Sequence, residues 1–243
     1  MVTKNEIKLV KSLQQKKYRT LHGLFAVEGI KAVNEFLNSD FKLKKLFVTD
    51  ENLLQADKEK VTVVKNTDLV KMSMLKNPNK ALALFEIRAD TGLVADEGLV
   101  VALDDVRDPG NLGTIIRLCD WFGIKTLICS ENTVDCYNSK VVQATMGSLT
   151  RVKIIYTDLV KYIEKSALPV YVADMGGDNV YTAVLPEGGV LVMGNEANGV
   201  SDAVMKTVTN TIAIPQFGSF QETESLNVAT ATAILLSEFK RRV

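Results

Sequence analysis

A chain of 243 residues with 47% hydrophobic and 24% charged side chains carries enough apolar surface for one large core or two modest ones, which excludes a disordered or fibrous protein. Lysine plus arginine and aspartate plus glutamate both number 29, so no net field draws the molecule to nucleic acid or to an anionic membrane, and any such attraction is local. No apolar run approaches the roughly 20 residues that span a bilayer, and the opening MVTKNEIKLVKSLQQKK lacks an apolar signal-peptide core; the expected location is the cytoplasm.

The chain opens on a basic stripe. Lys4, Lys8, Lys11, Lys16, Lys17 and Arg19 face only Glu6 before residue 22, and Lys4, Lys8 and Lys11 recur at spacings that share one helix face. Such a stripe is either a solvated surface or a set of phosphate contacts. Strands are predicted at 43–48, 61–64 and 81–87, alternating with helices near 28–38 and 67–75. Together they make a small α/β domain. The acidic, glycine-punctuated stretch 89–98 reads as a linker. Residues 1–97 hold 17 basic and 13 acidic side chains and residues 98–243 hold 12 and 16, so the two halves differ in the sign of their charge.

Beyond the linker, apolar strands are predicted at 99–104, 126–130, 170–174, 190–193 and 211–214, with helical patterns in several gaps. Near-continuous apolar strands separated by helices predict a parallel sheet covered on both faces. Ligands of such sheets bind beyond the carboxyl ends of the strands. After the first of them, Asp108-Pro109-Gly110 breaks the chain and a helix is predicted from Asn111 or Leu112, with Asn111 a candidate N-cap. Ile115, Leu118, Cys119 and Phe122 form its apolar face, and Thr114, Arg117 and Trp121 point about 120° away from it. The fourth strand runs into MGNEANG (193–199), whose small residues allow a ligand to approach the backbone closely. The last ends at Pro215, and Thr223 or Ser225 is expected to cap a C-terminal helix that closes on Lys240, Arg241 and Arg242.

The rest of the inventory narrows the chemistry. His22 is the single histidine, lies outside any motif and is expected at the surface, so Ser-His-Asp and Cys-His hydrolases are disfavoured. Cys119, Cys129 and Cys136 form no CxxC pair and are expected as buried thiols; no metal site is expected. Gly110-x-x-Gly113 lacks the first glycine of a dinucleotide fingerprint, and Gly194-x-x-x-x-Gly199 lacks the lysine of a P-loop.

Three ordered motifs carry a resemblance: Asn111, Gly113 and Arg117; then Gly194, Asn195 and Glu196; then Ile214, Pro215, Ser225, Leu226 and Asn227. With NSKVVQATMGSL at 138–149, they make residues 99–243 resemble the SPOUT-class RNA methyltransferases that act on ribose 2′-hydroxyls. Arg19 and FAVEG at 25–29 resemble the start of the small RNA-binding domain often joined to them. The resemblance implies an α/β fold, with a parallel-sheet catalytic domain over 98–243 ending in a trefoil knot, and a smaller α/β domain that binds RNA over 1–95. It implies S-adenosyl-L-methionine as cofactor, held by Met193, Gly194, Ile214, Leu226 and Asn227, and a homodimer in which Arg117 of one subunit faces the cofactor of the other. Trp121, Phe122 and the alanine-rich last helix are candidates for that interface. Structured RNA, ribosomal before transfer RNA, is the implied substrate.

The implied catalytic residues are Arg117, Asn111, Glu196, Ser225 and Asn227. Arg117, too basic to be a ready proton acceptor, would grip the phosphate beside the target ribose. Asn111 would orient Arg117 or the nucleotide, Glu196 would brace the site, and Ser225 with Asn227 would contact the ribose or the methionine part of the cofactor. The alternatives are an RNA-binding module of the same fold without catalysis, or a base methyltransferase. Departures from the family pattern are Gln143, Ala197 and Gln216, together with six residues between Gly218 and Ser225 in a loop that is commonly shorter. Ala197 fits its turn only with a negative φ.

Overall fold

The computed structural model describes residues 2–89, 92, 98–208, 210–218 and 225–241. The expected linker (89–98), the longer loop with Thr223 and the terminal Arg242 lie wholly or mostly outside them. In chain order the elements are α1 (Lys4–Ser12), α2 (Lys16–His22), β1 (Leu24–Glu28), α3 (Ile30–Leu37), β2 (Leu43–Val48), β3 (Val61–Val63), α4 (Asn66–Met72) and β4 (Ala81–Glu86). There follow β5 (Leu99–Leu103), α5 (Pro109–Trp121), β6 (Thr126–Ser130), α6 (Ser139–Thr145), β7 (Lys153–Thr157), α7 (Leu159–Lys165), β8 (Val170–Asn179), β9 (Gly189–Met193), α8 (Asp202–Met205), β10 (Asn210–Ala213) and α9 (Val228–Lys240). Two compact units result. The first is Met1–Asp90 together with Asp135–Thr150, and the second is Thr91–Val134 together with Arg151–Val243.

In the first unit a four-stranded sheet runs β1-β4-β2-β3. Its core is aromatic: Phe25 lies 5.6 Å from Phe36 and 5.5 Å from Phe41, ring centre to ring centre. The Tyr137 ring, from the later stretch, lies 4.6 Å from Phe25. Nearby, Arg19 is only 3% exposed. Its guanidinium donates to the carboxylate of Asp135 and, at 2.9 Å each, to the carbonyls of Leu13 and Gln14. Arg19 therefore leaves the basic stripe, whose other members, Lys4, Lys8, Lys11, Lys16 and Lys17, are exposed. Buried guanidinium needs a counter-charge and acceptors, and the sequence between 135 and 150 supplies one. That stretch, expected in the second domain, packs with the first unit. His22 is exposed, its ring 6.5 Å from that of Tyr18.

Glu28, at the end of β1, is 6% exposed and accepts from the Ser73 hydroxyl and the Met74 N–H. Burial outweighs these bonds and raises its proton affinity above the ordinary carboxyl value. The charged form is thus less favourable folded than unfolded, so its contribution is best at pH below about 4.5 and is lost as pH rises through the raised folded value. Calorimetric melting of the full chain against Glu28→Gln from acid to pH 8 is expected to show the parent losing ground to the variant as pH climbs.

In the second unit six strands form an all-parallel sheet in the order β10-β8-β9-β5-β6-β7. Every residue of β5 and β9 is buried; since successive side chains point to opposite faces, both faces of the sheet centre are covered. One face packs Val100, Ala102, Ile128, Val172 and Val192 with Leu159 and Ile163 of α7 and Val204 of α8, while α5 and α9 pack together. Cys119, Cys129 and Cys136 are buried, as expected. Among the described residues no helix is long and apolar enough to cross a membrane.

Candidate functional site

The carboxyl ends of β5, β9 and β10 lie at one end of the sheet, and the chain leaving each is held by named bonds. After β5, Asp104 is buried and its Oδ2 accepts the Ser201 N–H at 2.8 Å. Asp105, in the left-handed region at φ 58°, donates its N–H to the Ser130 hydroxyl at 2.8 Å and accepts at its carbonyl from Asn195 Nδ2 at 2.7 Å. The loop after β9 is closed on itself: the N–H groups of Asn195 and Gly199 each donate to the other's carbonyl at 2.9 Å, and Asn195 Oδ1 accepts from the N–H of Ala197 and Asn198. Ala197 avoids positive φ, as its fit demands. A side chain on Gly194 would lie 2.6 Å from the Gly199 carbonyl oxygen and nearer still to backbone Gly199 C and Val200 N; only glycine fits where the loop folds back.

α5 starts two residues before its expected beginning, because Pro109 suits the first helical position and Asp108 caps it, accepting the Asn111 N–H at 2.8 Å. Asn111 is thereby relieved of capping. Its Nδ2 donates to Glu196 Oε1 at 2.7 Å and its Oδ1 accepts from Asn227 Nδ2 at 2.9 Å. Asn227, in place of Ser225 or Thr223, caps α9, accepting at Oδ1 from the N–H of Ala229 and Thr230. One residue from each of the three motifs therefore joins a single chain of hydrogen bonds, Asn227 to Asn111 to Glu196.

Beside this chain lies a cavity of about 770 Å³. Its walls are Met193–Ala197, Ile212–Gly218 with Ser225 and Leu226, and Ala173–Met175; Val228, Ala231 and Leu235 of α9 close it. The sequence-predicted Met193, Gly194, Glu196, Ile214, Ser225 and Leu226 are thus all gathered in its lining. Asn111 and Asn227 reach it through Glu196. Arg117 stands apart: it is on the exposed face of α5 with Thr114 and Trp121, the latter 83% exposed, and has no hydrogen bond or ion pair to a described residue.

The third wall was not legible in the sequence. In β8, Val172 pairs with Thr211 and Asp178 with Ile212, so Ala173–Gly177 leave the ladder as an excursion. Gly177 permits it, since a Cβ there would sit 2.6 Å from the Ile212 nitrogen. The only hint was the Gly176-Gly177 pair. The lining combines small residues and backbone polar groups, an apolar wall of Ile214, Leu226 and Leu235, and the carboxylates of Asp174 and Glu196. That mixture suits a mid-sized ligand with an apolar ring, several hydrogen-bonding groups and positive charge. Among the described residues no cluster of histidine, cysteine or carboxylate could hold a metal ion.

Residues 98–237 match the SpoU rRNA Methylase family and residues 4–83 the MRM3-like substrate binding domain. A 23S rRNA (guanosine(2553)-2′-O)-methyltransferase, RlmP, of Bacillus subtilis is 29% identical over 95% of this chain and 94% of its own length. Among solved structures, an RNA methyltransferase of the TrmH family from Porphyromonas gingivalis, described as putative, superposes with a TM-score of 0.90 at 37% identity over the whole of both chains. An AdoMet-bound rRNA methyltransferase from Sinorhizobium meliloti superposes at 0.89 with 30% identity, over all of this chain and 97% of that one. The chain belongs to the SpoU rRNA methylase family.

Proposed function

We propose that the protein transfers a methyl group from S-adenosyl-L-methionine to a ribose 2′-hydroxyl of ribosomal RNA in the cytoplasm. The observation that carries this reading is the convergence of three separated motifs on one cavity, joined by the Asn227-Asn111-Glu196 hydrogen bonds. The cavity fits the methyl donor by size and chemistry: Ile214, Leu226 and the backbone around Gly194 would hold the adenosine, and Met193, Ser225 and the carboxylates the methionine part. When bound, the donor supplies an electrophilic methyl on a sulfonium.

The chain's own residues then have the task of positioning. Holding reactants in line is worth about 7–11 kcal/mol, which makes a site without metal or covalent intermediate sufficient. Arg117 grips the phosphate next to the target ribose bidentately, and the hydroxyl proton leaves to that phosphate or to water. Because Arg117 is exposed and bonds to no described residue of its own subunit, it acts in a homodimer on the partner's cavity. The C-terminal end of α5, with exposed Trp121 and half-buried Phe122, supports that assembly. Asn111 orients the nucleotide, Glu196 braces Asn111, and Ser225 with Asn227 contacts the ribose or the methionine part. The C-terminal segment of the second unit passes through a loop as a trefoil knot, and the exposed lysines of the first unit contact phosphates of the RNA.

Calorimetry with S-adenosyl-L-methionine and mapping of ribose methylation across the RNA of cells with and without the protein test this reading. Absence of both binding and a lost methylation site would sink it, and a methylated base among digested nucleosides would redirect it. The hydrogen-bonded chain has its own test in Asn227→Ser. Serine keeps the helix cap, so stability should change by no more than about 0.5 kcal/mol. It removes the donor to Asn111, and methyl transfer should fall about tenfold; an unchanged rate would exclude Asn227 from the machinery.

A further inference from the structure

Two exposed aromatic rings stand together at the cavity rim, Phe217 at the edge of the wall described above and Tyr181 just outside it. Phe217 is 83% exposed and Tyr181 36%, their ring centres 6.2 Å apart and their planes at 33°. Met175, 56% exposed, lines the same rim. Such a patch against a ligand cavity marks a binding surface. It is also held from behind. Asn179 Oδ1 accepts the Tyr181 N–H at 3.0 Å, and the buried Val180 donates its N–H to the Ala213 carbonyl at 2.9 Å. Ala213 ends β10, and the chain continues through Ile214 and Pro215 to Phe217. One strand end thus anchors both rings.

We propose that Tyr181 and Phe217 are a stacking platform for one unstacked base of the RNA substrate, at or next to the ribose that is methylated. This rests on the methyltransferase reading above. Bringing a single ribose to the cavity draws its nucleotide out of the RNA stack, and an aromatic face replaces the lost base contacts. The patch is two rings and a thioether, matching one base rather than a stable protein interface of about 1,000 Å² or more. The exposed carboxylates of Asp174, on the neighbouring excursion, and Asp178, where the strand rejoins the ladder, repel phosphate, so the group that meets this rim is a base and not the backbone. Uncharged rings accept any base, and the platform selects a flexible or looped-out nucleotide rather than a sequence.

The test uses the full chain and unmodified ribosomal RNA, comparing the parent with Tyr181→Ala, Phe217→Ala and Phe217→Trp. Both alanine variants are expected to lower kcat/KM for RNA by about 5- to 100-fold, chiefly through KM, while Tyr181→Ala, whose ring lies outside the cavity lining, leaves affinity for S-adenosyl-L-methionine by calorimetry within about twofold. Phe217→Trp should retain the parent's KM. A Phe217→Ala variant that loses cofactor affinity while Tyr181→Ala is silent would overturn the platform, because the ring would then cover the methyl donor. Unchanged RNA kinetics in both alanine variants would overturn it as well. A parent that transfers no methyl group to the RNA defeats the functional reading and the platform with it, a result visible without any variant.

Discussion

Arg117→Ala is expected to reduce methyl transfer by about 10²- to 10³-fold, the loss typical of deleting one preorganised group that stabilises charge in a transition state. Arg117 is exposed and bonds to no described residue, so thermal stability should move by no more than about 0.5 kcal/mol. Arg117→Lys keeps the positive charge and loses the planar fork. If bidentate capture of phosphate is the role, lysine should recover only a small part of the rate. Single-turnover methyl transfer with saturating cofactor reads this directly. Activity within a few-fold of the parent in either variant would remove Arg117 from the reaction.

Gly194→Ala should abolish cofactor binding and weaken the fold. The added methyl group would overlap backbone atoms of Gly199 and Val200, which cannot swing aside as a side chain can. Overpacking of this kind costs about 1–3 kcal/mol, and for a chain of this size each kcal/mol lowers Tm by roughly 2–4 °C. To accommodate it, the Asn195–Gly199 turn must open, which disturbs Asn195 on Asp105 and Glu196 on Asn111 together. Calorimetric titration with S-adenosyl-L-methionine and a thermal melt check both halves. Gly199→Ala tests the contrast: no atom lies near its Cβ, and the strain there comes from φ of +67°.

How much of this was legible depends on what each residue reports. The predicted strand 126–130 is β6 to the residue and 99–104 overshoots β5 by one, because continuous apolar runs are the direct signature of strands buried on both faces. Lys153–Thr157 escaped notice for the opposite reason: β7 is an edge strand of the sheet, only Ile155 of it is buried, and lysine, tyrosine and threonine dilute the run. β1 was read as a motif and not as a strand, since it ends in a buried glutamate. Both cap expectations were displaced by a short polar residue near the expected one. Asp108 precedes a proline suited to a first helical turn, and Asn227 adjoins the buried Val228.

The site itself was legible as a set of residues and not as an arrangement. Met193 and Gly194, at the end of β9, could be anticipated at a parallel sheet's ligand end, whereas Ile214 and Leu226 followed only from the family resemblance. That Asn227 bonds to Asn111, 116 positions earlier, is a property of strand order, which local periodicity does not encode. The excursion in β8 and the Tyr181–Phe217 pair were invisible for the same reason.

The burial of Arg19 against Asp135 bears on how such an enzyme can be recombined. A fragment cut at the apparent boundary near residue 95 would carry a water-starved guanidinium with no anion to answer it, and would lack the tyrosine that completes its aromatic core. The small module is therefore a composite, and grafting it onto a relative requires moving Asp135–Thr150 along with the first ninety residues. A transplant cut at that junction alone would leave both Arg19 and Phe25 without these partners.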